Sequence, residues 1–166
     1  MDIALLLVRL IGLGMAAHGA QKLFGWFGGY GLAGTAGWME SIGYRPGKLF
    51  AAAAGVTEIV GGVLLVLGLG GPVGPMLVIA SMIVAIGFHA PNGFFVTNQG
   101  YEPALLYVLI ALSLAFTGFG AYGLDAAIGL HPSAAIDWAV VGLGVLGGLG
   151  NLAARRKPAP AQTETA

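Results

Sequence analysis

The sequence predicts an all-α fold, in which a bundle of helices crosses a membrane several times. Charged residues make up 8 % of the chain and hydrophobic residues 57 %, whereas about a quarter of a soluble domain is charged. The mean hydropathy is +0.87, and a chain of 166 residues has too much surface for its volume to hide so much apolar area from water. The apolar runs are also continuous, while a membrane strand alternates apolar and polar residues. We therefore predict a polytopic membrane protein that lies in a lipid bilayer.

The first predicted helix covers residues 3–24 and is apolar in spite of Arg9 near its start. A secretory signal peptide has a basic start and then an uncharged core, so we interpret this segment as a retained spanning helix. The loop that follows is rich in glycine and in aromatic residues, which favour the headgroup region of a bilayer. Within it, Met39–Ile42 is predicted to form a short interfacial helix that ends at Gly43 and Pro46.

Four further segments approach the 20 or so apolar residues that a spanning helix needs. They are residues 48–69, 73–89, 103–119 and 133–154. The first two are separated by the turn residues Gly70–Pro72, and Pro103 suits the first position of the helix that it begins. The last helix ends before the cations Arg155–Lys157. The bundle is thus predicted over residues 1–157, with a disordered tail at 158–166.

Lysine and arginine residues predict the topology, because they are enriched on the cytoplasmic side of membrane proteins. The first loop and its flanks hold Lys22, Arg45 and Lys48, and Arg155–Lys157 follow the last helix. Five helices place both groups on the same side of the membrane, whereas four helices separate them. We therefore predict five crossings, with the amino terminus outside and the carboxyl terminus inside.

The composition excludes several classes of function. The chain has no cysteine, so it forms no disulfide, thiol relay or cysteine-ligated zinc or iron–sulfur site. Its formal net charge is zero, which gives no basic surface for a nucleic acid. Gly118–Gly123 and Gly142–Gly147 match the dinucleotide pattern GxGxxG, but that site follows a strand in a soluble unit. Gly144 and Gly148 instead fit close helix packing in lipid.

The charged residues Arg9 and Glu58 lie inside predicted spans. A lone charge at the centre of a spanning helix costs about 2.5 to 3.5 kcal/mol on insertion scales, and a pair costs less because each charge is the counter-ion of the other. Measured from Phe24 and Lys48, the two residues differ in depth by roughly 7 Å. We predict an Arg9–Glu58 pair inside the bundle. The alternative is that Arg9 reaches the interface and Glu58 is protonated.

Other polar residues lie near the predicted helix ends. His18 and Lys22 are four residues apart and share a helical face. His18 is a candidate proton carrier or quinone ligand because histidine titrates near neutral pH, or it bonds to a loop; Lys22 binds a ligand or lipid phosphates. His89 ends the third helix, and Glu102 opens the fourth, where a carboxylate suits the helix dipole. Because His18, His89 and Glu58 differ in depth, we predict no metal site.

Several short motifs, in their order along the chain, resemble the DoxX family of small bacterial membrane proteins. They are Arg9 in the first helix, HGAQKLFGW, WMESIG, EIVGGVLLVLG, FHAPNG and TGFGAYGLD. The resemblance covers about residues 5–128 and implies a four-helix bundle in the bacterial inner membrane. It places the family's arginine, lysine and acidic residue at Arg9, Lys22 and Glu58. The chain departs from the family in its predicted fifth helix, residues 133–154.

The resemblance also implies a role in electron transfer. Relatives include the membrane subunit of thiosulfate:quinone oxidoreductase, and DoxX itself is linked to a membrane oxidoreductase complex that detoxifies radicals. We therefore hypothesise a membrane subunit that works with a redox partner protein and docks a quinone near Arg9, His18 and Glu58. Lys22 and His89 are further ligand-binding candidates, and Glu58 or His18 is the catalytic group that moves the proton. No covalently bound cofactor is expected, and any flavin, haem or cluster is assigned to the partner.

Two other functions are weighed against this hypothesis. One is a structural or scaffolding membrane protein without catalytic activity, in which the charge pair only sets the helix register. The other is a pathway for protons or small solutes, which needs more polar residues than the last three helices carry. The sequence leaves a homo-oligomer open.

Overall fold

The computed structural model describes residues 1–156. No β-strand occurs within that range, which confirms the all-α class. The helices are α1 (Asp2–Arg9), α2 (Ile11–Phe24), α3 (Gly31–Ser41), α4 (Gly47–Leu67), α5 (Val73–His89), α6 (Glu102–Thr117), α7 (Leu124–Ile128) and α8 (Ala134–Ala153). The tail predicted at residues 158–166 lies outside the described residues.

Four helical segments carry little charge and are long enough to span a bilayer. Helices α1 and α2 join through Leu10 into one continuous segment, Asp2–Phe24. This segment and α4, α8 and Val73–Asn92 are each long and apolar enough to cross a membrane. Helix α6 is apolar but has 16 residues, which corresponds to roughly 24 Å. These findings support a multi-pass membrane protein.

The bundle has two ends, which we name after the cations they hold. The Arg9 end comprises the amino terminus, the turn after α4 and the segment from Gly118 to Pro132. The Lys22 end comprises the residues after α2, the Ile42–Pro46 connection and the loop between α5 and α6. At the Lys22 end, Arg155 Nε donates to the carbonyl oxygen of Ile42 at 2.7 Å. The carboxyl end of α8 and the first cationic loop are therefore neighbours, as the charge distribution predicts.

Glycines determine how closely the first two spans approach. A Cβ atom on Gly12 would collide with the carbonyl oxygen of Gly62, and a Cβ atom on Gly62 would collide with that of Gly12. A Cβ atom on Gly19 would lie 2.5 Å from the carbonyl oxygen of Gly55. The backbones of α2 and α4 therefore touch at two levels, and this contact sets the register of the antiparallel pair.

Glycines also allow the last helix, α8, to pack closely against the bundle. A Cβ atom on Gly144 would lie 2.8 Å from the carbonyl oxygen of Met76, and one on Gly148 would lie 2.8 Å from Cβ of Ile83. Among the described residues, a Cβ atom on Gly142 or Gly147 would meet nothing within 4 Å. The predicted role of Gly144 and Gly148 in helix packing is confirmed, and α5 is the partner helix.

Helix α3 differs from its prediction. The sequence predicts a short helix at Met39–Ile42, whereas the helix covers Gly31–Ser41. Glycine lowers helix propensity, but Thr35 and Met39, four residues apart, are buried against the bundle. Thr35 Oγ1 also donates to the carbonyl oxygen of Lys22 at 3.2 Å. Tertiary packing therefore stabilises a helix that local propensity disfavours.

Candidate functional site

Glu58 lies on the inward face of α4 and is 3 % exposed. The Nζ atom of Lys22 donates to its Oε2 atom at 2.5 Å. On the other side, Ser81 Oγ of α5 donates to Oε1 at 3.0 Å. Both neighbours are donors, so they complement an ionised carboxylate. Three spans thus meet at one polar cluster, which we call the Lys22–Glu58–Ser81 cluster.

The predicted Arg9–Glu58 pair is wrong. Arg9 is buried, with 3 % exposure, and its Nη1 atom donates to the carbonyl oxygen of Phe119 at 3.3 Å. Within residues 1–156, no carboxylate oxygen lies within 4.0 Å of the guanidinium. The Arg9 guanidinium instead lies beside Phe119 and Gly68, where α6 and α4 end, so it points to the end of the bundle as the alternative expects, and it is buried there among protein atoms.

The direction in which helical side chains lean explains why Lys22 is the partner. Each Cα–Cβ bond of a helix tilts toward the amino terminus of that helix. Helices α2 and α4 are antiparallel, and their glycine contacts place Glu58 between Arg9 and Lys22 in depth, roughly 10 Å from Arg9. Lys22 and Glu58 therefore lean toward each other, whereas Arg9 leans away. An estimate of depth from residue counts alone omits this tilt.

Arg9 lies where two helices end. Helix α4 ends at Leu67 with Gly68 as its cap, and α6 ends two residues before Phe119. The carboxyl end of a helix carries partial negative charge from its unpaired carbonyl groups, which compensates a buried cation in the absence of a carboxylate. A Cβ atom on Gly68 would collide with Arg9 Nη1, and one on Gly123 would lie 3.1 Å from it. Glycine at these positions makes room for the guanidinium.

A cavity of about 200 Å³ lies beside the Lys22–Glu58–Ser81 cluster, between α4 and α5. Its wall on α4 consists of residues three or four apart, which share one helical face: Phe50, Ala53, Ala54, Thr57 and Glu58. Alanines at 80 and 85 line the opposite wall. The cavity exists because these facing side chains are small.

One edge of this cavity faces the outside of the bundle. Ala53 of α4 and Gly147 of α8 both line the cavity and are exposed. Both lie within helices long enough to span the membrane. The cavity is therefore open to the outside of the bundle on the side where Ala53 and Gly147 lie, between two helices long enough to span a membrane.

The end of the cavity away from Glu58 is aromatic. Tyr44, Phe50 and Phe88 line it, with ring centroids 4.7 Å apart for Tyr44 and Phe50 and 5.7 Å apart for Tyr44 and Phe88. The Tyr44 hydroxyl is buried and has no hydrogen-bond partner among the described residues. Burial raises the pKa of this hydroxyl above its ordinary value, and the nearby charge of Arg155 opposes part of that rise.

A second cavity, of about 520 Å³, adjoins the first at the Lys22 end. His18, Gln21 and Thr35 line it, and Lys22 and Trp38 line both cavities. His18 is exposed and its Nδ1 atom lies 3.1 Å from Gln21 Oε1. Lys22 therefore stands between the space that holds His18 and the space that holds Glu58.

His89 and Glu102 lie near the loop between α5 and α6. His89 borders the first cavity but is exposed, and its Nδ1 atom lies 2.7 Å from the carbonyl oxygen of Gln99. Glu102 accepts a hydrogen bond from the backbone N–H of Val96 at 2.9 Å. In the part of the chain that the structure describes, no three histidine or acidic side chains converge as metal ligands.

Ser81 and Tyr44 are not among the site residues predicted from the sequence. Ser81 is a hydroxyl in an otherwise apolar run, and a polar group at membrane depth is a usable signal because it needs a partner there. Tyr44 is one of several aromatic residues in the first loop, and its sequence context does not distinguish it from Tyr30. Only the packing of the loop against α5 and α8 shows that one of them is buried.

Comparisons with known proteins bear on this arrangement. The DoxX family profile matches residues 4–98, more than half of the chain. The chain belongs to the DoxX family. The matched DoxX region covers α1 to α5 and holds Lys22, Tyr44, Glu58 and Ser81, whereas Gly147 on the opposite side of the cavity lies outside it.

One relative is an uncharacterized protein of Haemophilus influenzae, which is 43 % identical over 76 residues. The match covers 43 % of this DoxX protein and 57 % of the relative, so the chain spans little more than half the length of that relative. No solved structure matches the chain.

Proposed function

We propose that this DoxX protein is the membrane subunit of a redox complex in a bacterial inner membrane and that a quinone headgroup docks in the cavity beside Glu58. The observation that supports this most strongly is the placement of an ion pair at the wall of a cavity that is open to the outside of the bundle between helices long enough to span a membrane. Quinones are flat, apolar and lipid-soluble, and they carry two carbonyl acceptors. An apolar cavity with a few placed polar groups suits such a ligand.

The size of the cavity limits what enters. Sites for drug-sized ligands have volumes of about 300 to 1,000 Å³, and this cavity measures about 200 Å³. It therefore accommodates a single ring, and the isoprenoid tail leaves through the opening between Ala53 and Gly147. The Lys22 ammonium has three donors and uses one of them on Glu58, so it has donors left for a quinone carbonyl.

Reduction of a quinone to a quinol takes two electrons and two protons. In this proposal the electrons come from a redox cofactor of the partner protein, and the protons arrive through the second cavity. Lys22 lines both cavities, so it links His18 on the outer side with Glu58 on the inner side. Glu58 serves as the proton-transferring group at the ring, and His18 as the group that exchanges protons with water. Arg9 lies at the other end and takes no part.

Tryptophan fluorescence tests the docking step directly. The chain has three tryptophans, and of these only Trp38 lines the cavity among the described residues. We expect decylubiquinone to quench W26F/W138F protein in lipid nanodiscs saturably, because Trp38 is the remaining fluorophore. A strictly linear, non-saturating response, equal to that of free tryptophan in the same nanodiscs, would contradict docking.

Substitution at the cluster locates the site. We expect E58Q to weaken the quinone affinity about tenfold, because the Glu58 carboxylate holds the Lys22 ammonium in the position from which it donates to the quinone carbonyl. A hydrogen bond to a charged group contributes about 1.5 to 3 kcal/mol. The matched control is E102Q, which also removes a carboxylate but at a residue outside the cavity. Equal affinities for E58Q and E102Q would place the quinone elsewhere.

The scaffolding alternative retains one supporting observation. Glu58 already has two donors within the chain, as a purely structural ion pair would. Under this alternative a partner enzyme co-purifies with the protein, and quinone quenching of Trp38 stays linear. The nanodisc titration therefore separates the two functions.

A further inference from the structure

We propose that the Tyr44 hydroxyl is a ligand-binding group that donates a hydrogen bond to the second carbonyl of the docked quinone, opposite the carbonyl bound by Lys22. This inference rests on the proposed function and extends it to a residue outside the Lys22–Glu58–Ser81 cluster. It also narrows the substrate to rings whose two acceptors lie on opposite sides.

The unpaired hydroxyl of Tyr44 is the first argument. The side chain is 1 % exposed, and its oxygen has no partner within residues 1–156. Buried tyrosine hydroxyls nearly always find a hydrogen-bond partner, because desolvation without one is unfavourable. Since Tyr44 lines the cavity, a ligand in that space is placed to supply the missing acceptor.

The dimensions of the cavity are the second argument. Its wall on α4 begins at Phe50 and ends at Glu58, which corresponds to about 12 Å along the helix axis. Tyr44 packs against Phe50 at one end, and Lys22 binds Glu58 at the other. A ring between them presents one carbonyl to each end. The intervening walls have alanines on both sides, and the polar side chains of Thr57 and Asn151 also line the cavity.

The third supporting observation is that hydrogen bonds fix Tyr44 and the two residues before it in place. Its own N–H donates to the carbonyl oxygen of Met39 at 2.9 Å. The two residues before it are bound by the carboxyl end of α8, through Arg155 Nε to Ile42 and through the N–H of Arg156 to Gly43 at 2.9 Å. Helix α8 therefore positions the tyrosine from outside the DoxX region. Because burial raises the pKa of the hydroxyl, Tyr44 remains a donor at neutral pH.

The test compares Y44F with Y122F, both in the W26F/W138F background in nanodiscs, with decylubiquinone as the probe. Tyr122 is 58 % exposed at the Arg9 end, so its variant controls for loss of a tyrosine hydroxyl elsewhere. We expect the dissociation constant to rise about 3- to 10-fold in Y44F, the range for one neutral hydrogen bond, and to stay unchanged in Y122F. Equal constants for the W26F/W138F protein with and without Y44F would overturn the inference while leaving the proposed function in place.

A second measurement separates a ligand-binding role from a structural one. Without quinone, the midpoint temperature of Y44F is expected to equal or exceed that of the wild type, because the removed hydroxyl has no partner to lose. A lower midpoint in the absence of quinone would mean that the hydroxyl is bonded within the protein, and the inference would fail. If even the wild type shows no saturable quenching, the proposed function fails and this inference fails with it.

Discussion

The two ends of the bundle bury a cation of the same spanning segment in different ways. At the Arg9 end the cation is bound by a backbone carbonyl, and its side chain is sealed at 3 % exposure. At the Lys22 end the cation is bound by a carboxylate, its side chain keeps 27 % exposure, and cavities lie on both sides of it. A carbonyl cannot exchange a proton, whereas an ammonium–carboxylate pair can. In the proposed function, the Arg9 end therefore stabilises the fold and the Lys22 end carries the chemistry.

Two acidic residues at the Arg9 end, Asp125 and Asp2, are also bound by backbone groups. Asp125 accepts hydrogen bonds from the N–H groups of Gly70 and Gly71, each at 2.7 Å. Asp2 accepts one from the N–H of Ala121 at 2.9 Å. Each carboxylate stabilises a turn by accepting hydrogen bonds from backbone N–H groups. Hydrogen bonds to the main chain therefore stabilise this end of the bundle.

The largest expected effect comes from breaking the ion pair. We expect K22M to lower the free energy of unfolding by about 3 kcal/mol, because the buried Glu58 carboxylate would lose its counter-ion. Removing one partner of a fully buried ion pair costs about 3 to 5 kcal/mol. Lys22 is partly exposed, which places the effect at the lower limit. Reversible unfolding in mixed micelles measures it.

Lys48 provides the control for that substitution, since it is exposed. K48M is expected to change the free energy of unfolding by less than about 0.5 kcal/mol. The double variant K22M/E58L is expected to regain most of the loss, because no buried charge is left unpaired. If K22M and K48M were equally stable, the ion pair would contribute nothing.

The next effect tests the Arg9 end. Gly68 and Gly129 both cap helices in the left-handed region, with φ of 62° and 69°, but only a Cβ atom on Gly68 would meet Arg9. We expect G68A to cost about 2 kcal/mol more than G129A, since both variants carry backbone strain and only the first displaces the guanidinium. Equal losses in the same unfolding assay would show that Arg9 does not need this space.

A smaller effect concerns pH. Because burial raises the pKa of Tyr44 in the folded protein, the folded state keeps this proton to a higher pH than the unfolded state. Stability is therefore fully retained below the ordinary tyrosine pKa of about 10 and declines as pH rises above it, by at most about 1.4 kcal/mol per pH unit. The free energy of unfolding is measured between pH 9 and 11, in steps of about one unit. We expect it to decline with rising pH, and to decline less steeply in Y44F than in the wild type. Parallel profiles for the two proteins would contradict a raised pKa.

The smallest expected effect is the coupling energy between Arg9 and Glu58, which lie at different levels of the bundle. A double-mutant cycle between R9Q and E58Q is expected to give a coupling energy below about 0.5 kcal/mol, since the two groups share no partner. The cycle between K22Q and E58Q is expected to give about 2 kcal/mol, within the range for groups in contact. A large coupling between Arg9 and Glu58 would mean that the ends communicate through the α2–α4 contact.

Some of the polar residues in the interior of the bundle can be identified from the sequence. Arg9 and Glu58 were recognisable because charges are rare at membrane depth, and Lys22 because it shares a helical face with His18. The partner of Glu58 was predicted wrongly, because depth was counted from helix ends without the tilt of the side chains. The burial of Tyr44 had no local signal, since it arises from contacts between the first loop and residues far along the chain.

Composition and continuous apolar runs are sufficient to predict the all-α class, the membrane environment, the approximate helices and the set of polar residues that must find partners in the interior. Both are local properties of the chain. The tertiary structure determines which polar residues meet, because pairing depends on the helix register set by Gly12, Gly19, Gly55 and Gly62. It also decided that a cavity lies beside Glu58, because a cavity is space left between side chains of different helices, which no single stretch of the chain specifies.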